Sequence, residues 1–241
     1  MKLENILKEN YEDIEGKIVE TLNNKTDEIG TILLKQYEEW LDDLTRQECK
    51  MSRDCDLALS KLCFYEGEYS AEDITNFAIK LHLFEERQKF SLSGIFLSTL
   101  INVHYKYTET KEPYKLILTH IDTRFTKIGM QNEGAEILVI GNVGSALGYE
   151  MKKGNITING DCDECAGYFM EGGILTVQNA GPFFADELSG GIIKARTVDS
   201  LSPNILKGEI HVAEGELRIP KLFNASRDWL TIYHRDEKIF P

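Results

Sequence analysis

GYEMKKGNITING occupies residues 148–160 and GYFMEGGILTVQN occupies residues 167–179, the second opening nineteen residues after the first. Each copy carries Gly-Tyr, then a methionine, then a glycine just before an apolar pair whose members sit two apart. Alternate residues of a strand point to the same side, so each pair marks one buried strand face. The pairs recur outside the two copies: Ile137/Val139, Ile156/Ile158, Leu175/Val177, Ile193/Ala195 and Ile210/Val212, at steps of nineteen, nineteen, eighteen and seventeen residues. Gly154, Gly173, Gly191 and Gly208 lie just ahead of the last four pairs. A second column holds Gly129, Gly148, Gly167 and then Ala185, and an apolar column holds Met151, Met170 and Leu188.

A period of this size is the mark of a solenoid. One such turn cannot cover its own apolar pair, but stacking another turn on it does, with strands pairing in parallel at about 4.8 Å. The spacing predicts a right-handed parallel β-helix of five turns, about 20–25 Å long, with glycines where the chain bends. A hairpin sandwich, the alternative for a Gly-rich β half, would not keep residue types in register over four steps. A solenoid has two edges to hide. Lys115–Ile121 (KLILTHI) reads as the first strand. At the far end Leu217 and Ile219 follow Val212 too closely for another turn, so IHVAEGELRI reads as a tight turn or hairpin that finishes the stack. Residues 221–241, with Phe223, Trp229, Leu230, Ile232 and Tyr233, then read as a capping tail.

The first half has another character. Residues 1–112 hold four of the nineteen glycines and none of the five prolines, so they read as helices. Ile14, Ile18 and Leu22 form one helical stripe, and Ile29, Leu33, Tyr37, Trp40 and Leu44 another. A third helix is expected over Cys55–Tyr65. Ser70 reads as an N-cap with Asp73 three residues on, ahead of Ile74, Phe77, Ala78 and Leu81. Leu92–Tyr107 is apolar on most sides and is the most buried helix expected. The fold class is therefore α+β: a helical bundle over 1–112 that also caps the solenoid, a β-helix over 113–220 and a tail over 221–241.

Charge limits the partners. Acids outnumber bases 23 to 14 over residues 1–112 and 17 to 13 beyond, for a net charge of −13. Nucleic acid and anionic lipid call for clustered Lys and Arg, so neither is expected. Met1–Asn5 is polar and no run of 18 apolar residues exists, so the reading is cytoplasmic with no membrane span. The five cysteines are then read as reduced thiols.

The stretch over residues 141–181 resembles the GXGXG β-helix domain found at the C-terminal end of glutamate synthase's large chain and in the formylmethanofuran dehydrogenase complex. Gly141, Gly144, Gly148, Met151, Gly154 and Gly160, then Gly167, Met170, Gly172 and Gly173 carry the likeness, which spans about residues 126–212. Asn179 stands where Gly160 would recur, and Ala185 replaces a column glycine. The resemblance implies a structural spacer or assembly scaffold whose chemistry is carried elsewhere. No amidotransferase, flavin or pterin-binding segment is visible, so no cofactor is expected.

Candidate site residues are few. Cys162 and Cys165 form a C-x-x-C, which can ligate metal or form a redox disulfide. The repeat offers a plainer account, because Cys162 takes the place of Val143 and Cys165 that of Ala146, as packing thiols. Asp161, Asp163 and Glu164 cluster on the same bend and read as solvated, with a weak cation site the other reading. Cys49, Cys55 and Cys63 have no cluster spacing, and His82, His104, His120, His211 and His234 are scattered. GNVGSALG (141–148) lacks the Lys-Ser/Thr of a phosphate loop. The expected function is a non-catalytic scaffold binding a protein partner or a second copy of itself, a homodimer. The alternatives are a metal- or redox-linked protein using Cys162 and Cys165, and an enzyme with a pocket between bundle and β-helix.

Overall fold

The computed structural model describes residues 11–24, 27–46, 69–81, 92–108, 112–119, 124–220 and 229–240. Among the described residues four helices come first: α1 (Tyr11–Asn23), α2 (Glu28–Arg46), α3 (Ala71–Lys80) and α4 (Ser93–Thr108). Eight strands follow: β1 (Tyr114–Ile117), β2 (Glu133–Ile140), β3 (Lys153–Asn159), β4 (Ile174–Ala180), β5 (Ile192–Val198), β6 (Gly208–Val212), β7 (Leu230–His234) and β8 (Glu237–Phe240). They form one sheet in chain order, parallel from β1 to β7, with β8 antiparallel. This is a parallel β-solenoid of about six turns spanning residues 114–234.

The register stacks the predicted residues. Ile137, Ile156, Leu175, Ile193 and Ile210 lie one above another, and the ladder runs on to two residues outside the predicted repeat, Tyr114 at its start and Ile232 at its end, each of the seven at most 1% exposed. Each interior aliphatic side chain shields the next rung, a burial of about 1.5–3 kcal/mol apiece. Sequence periods of seventeen to nineteen residues thus become one vertical ladder.

The repeated bends share a backbone pattern. Positive φ occurs at Lys127, Gly129 and Gln131, at Ala146, Gly148 and Glu150, at Cys165, Gly167 and Phe169, and at Phe183, Ala185 and Glu187. The left-handed residues of each bend sit two apart, and their N–H groups point alternately up and down the stack. The outer two donate to the following coil, as in Ala146 N to Glu164 O (2.9 Å) and Glu150 N to Tyr168 O (3.0 Å). The middle one donates to the preceding coil, as in Gly148 N to Ile128 O and Gly167 N to Leu147 O (both 2.8 Å). The middle position is small because it faces the ladder. A Cβ on Gly148 would lie 2.5 Å from Leu175 Cδ1, and one on Gly167 2.4 Å from Ile193 Cδ1.

The helices close the starting end. The Ser70 capping box forms as predicted, with Asp73 N donating to Ser70 Oγ and Ser70 N to Asp73 Oδ2. Its helix α3 packs on β1 and ties to it through Thr75 Oγ1 donating to Lys115 O at 2.7 Å. Leu33, Tyr37 and Trp40 of α2, Phe77 of α3 and Phe96 of α4 join Tyr114, Leu116 and the solenoid interior in one hydrophobic core. A smaller cluster on the outer side of the sheet joins Ile14 and Ile79 to Ile117 and Ile140. Lys80 Nζ reaches Asp27 Oδ2 at 2.6 Å, with Lys80 buried and Asp27 largely covered, pinning the start of α2 to the end of α3. Burial alone would raise the Asp27 pKa. The hydrogen bond and charge of Lys80 and the Gly30 N–H outweigh it and leave that pKa below the ordinary carboxylate value.

The far end differs from the expectation. Leu217 and Ile219 form no strand, and Val212 instead pairs in parallel with His234. The segment beyond residue 220 therefore supplies a further rung, β7, before a hairpin turns back as β8. Arg235 and Asp236, at φ 53° and 63°, make the two-residue hairpin turn, where two left-handed residues match the strand twist. A seven-residue gap is too short for a coil, and the coil is closed by a longer excursion instead. The helix expected over Cys55–Tyr65 lies outside the described residues.

Candidate functional site

The C-x-x-C bend divides its two thiols. Cys162 bridges Val143 below and Ala180 above, so it is a rung of the interior, 4% exposed. Cys165 sits at the left-handed position equivalent to Ala146 and is half-buried. Both thiols are free. Burial, then Asp163, pushes the Cys162 thiol up to about 12, and burial with Glu164 and Asp186 raises Cys165 as well. Both are held as neutral thiols at neutral pH, whereas metal ligation and thiol exchange use the thiolate. Among the described residues no group of three or more His, Cys, Asp or Glu is placed to hold a metal ion.

Two of the three acids beside the cysteines are engaged, and Glu164 is exposed. Asp161 Oδ1 accepts from Asn179 Nδ2 at 2.6 Å, and Asp163 pairs with Arg124. Asn179, which replaces a repeat glycine, is a hub: its Oδ1 also accepts from Arg196 and from Thr197 Oγ1. An open groove of about 550 Å³ runs along this bend. The glycines of residues 141–148 serve backbone packing, since a Cβ on Gly141 would lie 2.9 Å from the Leu118 carbonyl carbon.

A groove lies between the helices and the solenoid. It encloses about 500 Å³ between α1, α3 and β1. Of the charged side chains lining it, Lys17 and Glu72 pair with each other. The scattered histidines do not converge. His104 Nδ1 meets Tyr114 Oη at 2.6 Å, His211 stacks on Tyr233 with ring centroids 4.5 Å apart, and His234 Nε2 contacts Gly215 O. His82, His120, Cys49, Cys55 and Cys63 lie outside the described residues.

The most distinctive surface feature is one that sequence reasoning missed. Three rings line the bend that carries the alternating φ pattern. Tyr168 stacks on Phe169 with centroids 4.3 Å apart and planes 24° apart, and Tyr149 meets both edge-on at 5.6 and 6.1 Å. Phe169 is 39% exposed, and Phe183 on the next coil is 50% exposed. Lys127 Nζ lies 4.5 Å from the Tyr149 ring centroid, a cation–π contact. Partial burial, then Asp186 and other neighbours including Glu187, raises the Tyr168 phenol, so the ring is neutral at neutral pH. Gly-Tyr in both opening copies was the available signal, but a tyrosine inside a repeat reads equally well as packing.

No family model, curated protein or solved structure matches this chain. Among the described residues no helix is long and apolar enough to cross a membrane.

Proposed function

We propose that this chain is a non-catalytic scaffold whose solenoid presents a rigid surface to a protein partner or to a second copy of the chain. The observation that carries this reading is the Tyr149–Tyr168–Phe169 strip, aromatic surface left partly in solvent on backbone rungs locked to both neighbouring coils. Aromatic rings are the side chains that most often anchor protein interfaces. The glycine spacing supports the same reading through its resemblance to the GXGXG domain, which implies a right-handed coil and a spacer role. Neutral thiols at Cys162 and Cys165 favour the packing account over the metal or redox alternative.

The reading is tested by cross-linking the tagged chain at native abundance and mapping the links by mass spectrometry. Links from exposed solenoid lysines such as Lys152, Lys194 and Lys207 to a partner or to a second copy are the expected outcome. A monomer that purifies with no linked partner overturns it.

A further inference from the structure

We propose that the ring strip of Tyr149, Tyr168 and Phe169 is a docking site for an arginine- or lysine-bearing segment of a partner protein. This rests on the scaffold reading and names the class of partner.

The choice of residue at position 169 is costly in two ways. Phe169 holds φ 55°, a left-handed conformation in which a bulky side chain is an outlier and glycine or asparagine is favoured. The residue is also 39% exposed, so burial offsets that cost only in part. Neither backbone preference nor core packing accounts for a phenyl group there, and unfavourable local choices collect at functional surfaces.

The surroundings of the rings specify a cation. Glu150, Phe169 and Glu187 occupy the same left-handed position on three successive coils, so an acidic residue stands one rung to either side of Phe169. Glu150 N donates to Tyr168 O and Phe169 N to Asp186 O, which places those coils in direct register. Asp186 Oδ1 accepts from Asn204 Nδ2 at 3.3 Å and from the Ser202 hydroxyl, and Gln131 Nε2 donates to Glu150 Oε2 at 2.8 Å, so these carboxylates are held in place. Ring faces flanked by fixed negative charge attract guanidinium and ammonium groups. Lys127 over Tyr149 is the same contact made within the chain. The acids that favour a basic peptide repel phosphate, which separates this surface from a nucleic-acid site.

The test titrates fluorescent deca-arginine, with deca-glutamate as control, against the intact chain at about physiological ionic strength, where long-range attraction is screened. Saturable binding of deca-arginine alone is expected. Phe169→Asn keeps the net charge and suits the left-handed backbone, and it should weaken binding about tenfold by removing the cation–π face. Tyr168→Leu, which keeps an apolar side chain but removes the aromatic face, should do the same. Unchanged affinity in both variants would show diffuse attraction to an acidic protein and overturn the site, as would absence of saturable binding. Cross-links from solenoid lysines to a partner, found together with no peptide binding, would sink this site and leave the scaffold reading standing.

Discussion

Ser98 Oγ accepts the Gly129 N–H at 2.8 Å, the bond that a carbonyl of the preceding coil makes in later turns. Gly148, Gly167 and Ala185 donate to Ile128, Leu147 and Ala166, but the first coil has no predecessor. Helix α4 takes that place. Ser98 also bonds Lys127 O at 3.0 Å and Gly94 O at 2.7 Å, and Asn102 Nδ2 reaches Met130 O at 2.9 Å. A Cβ on Gly94 would lie 2.0 Å from Thr126 O, so the helix rests directly on the coil backbone. The helical half therefore acts as a polar template as well as an apolar lid. Ser98→Ala strands a buried N–H, so a loss of about 1–3 kcal/mol is expected in urea unfolding. A change below a few tenths would show that the bond is dispensable.

Gly148 carries a second prediction. At φ +67° an alanine pays about 1–2 kcal/mol for its left-handed backbone, and its methyl must displace Leu175 Cδ1 from 2.5 Å. Gly148→Ala should cost about 2–4 kcal/mol in all, with repacking strain added. Ala185 already bears a methyl at the equivalent position with φ +64°. Ala185→Gly relieves the backbone but loses a buried methyl, so it should change stability by less than about 1 kcal/mol. Equal effects at the two sites would contradict the geometry.

The Lys80–Asp27 pair predicts non-additivity. Lys80→Met leaves Asp27 largely covered without its partner and should cost at most about 3 kcal/mol, the low end for a buried pair. Adding Asp27→Asn to that variant should recover part of the loss, because the stranded charge is gone. A double-mutant cycle reads the coupling. With its folded pKa depressed, Asp27 stabilises the fold above its unfolded value near pH 4, and this contribution is lost as pH falls through the lower folded value.

His104 links helix α4 to the first strand through Tyr114, and burial lowers its pKa although Asp73 and the Tyr69 backbone act to raise it. The unfolded chain then takes up this proton at a higher pH than the folded one. Its contribution is in place above the ordinary histidine value of 6.5 and declines as pH falls below that toward the depressed folded value. His104→Gln should flatten this part of the stability–pH curve, and an unchanged slope just below pH 6.5 would refute the assignment.

Thiol reactivity supplies the last prediction. Cys162, neutral and 4% exposed, should resist iodoacetamide in the folded chain, while half-buried Cys165 should react first. Mass spectrometry after timed alkylation gives the order, and faster labelling at Cys162 would count against its place as an interior rung.

The sequence alone determined the coil, because a ladder demands the same residue type at each rung and so writes its period into the chain. Ile137, Ile156, Leu175, Ile193 and Ile210 were readable for that reason, as were the Ser70 cap and the Ile14, Leu33 and Phe96 helices, whose signals are local. Position 232 was not readable, because its rung follows a longer excursion that breaks the period. Asn132 was also hidden. It takes the place of Met151 on the first coil and directs its amide to Gly134, Ala135 and the Ala135 carbonyl, a role visible only once the turn is built. The aromatic strip was decided by tertiary structure too. Tyr149 and Phe169 are twenty residues apart, and only the stacking of coils about one strand spacing apart brings their rings together.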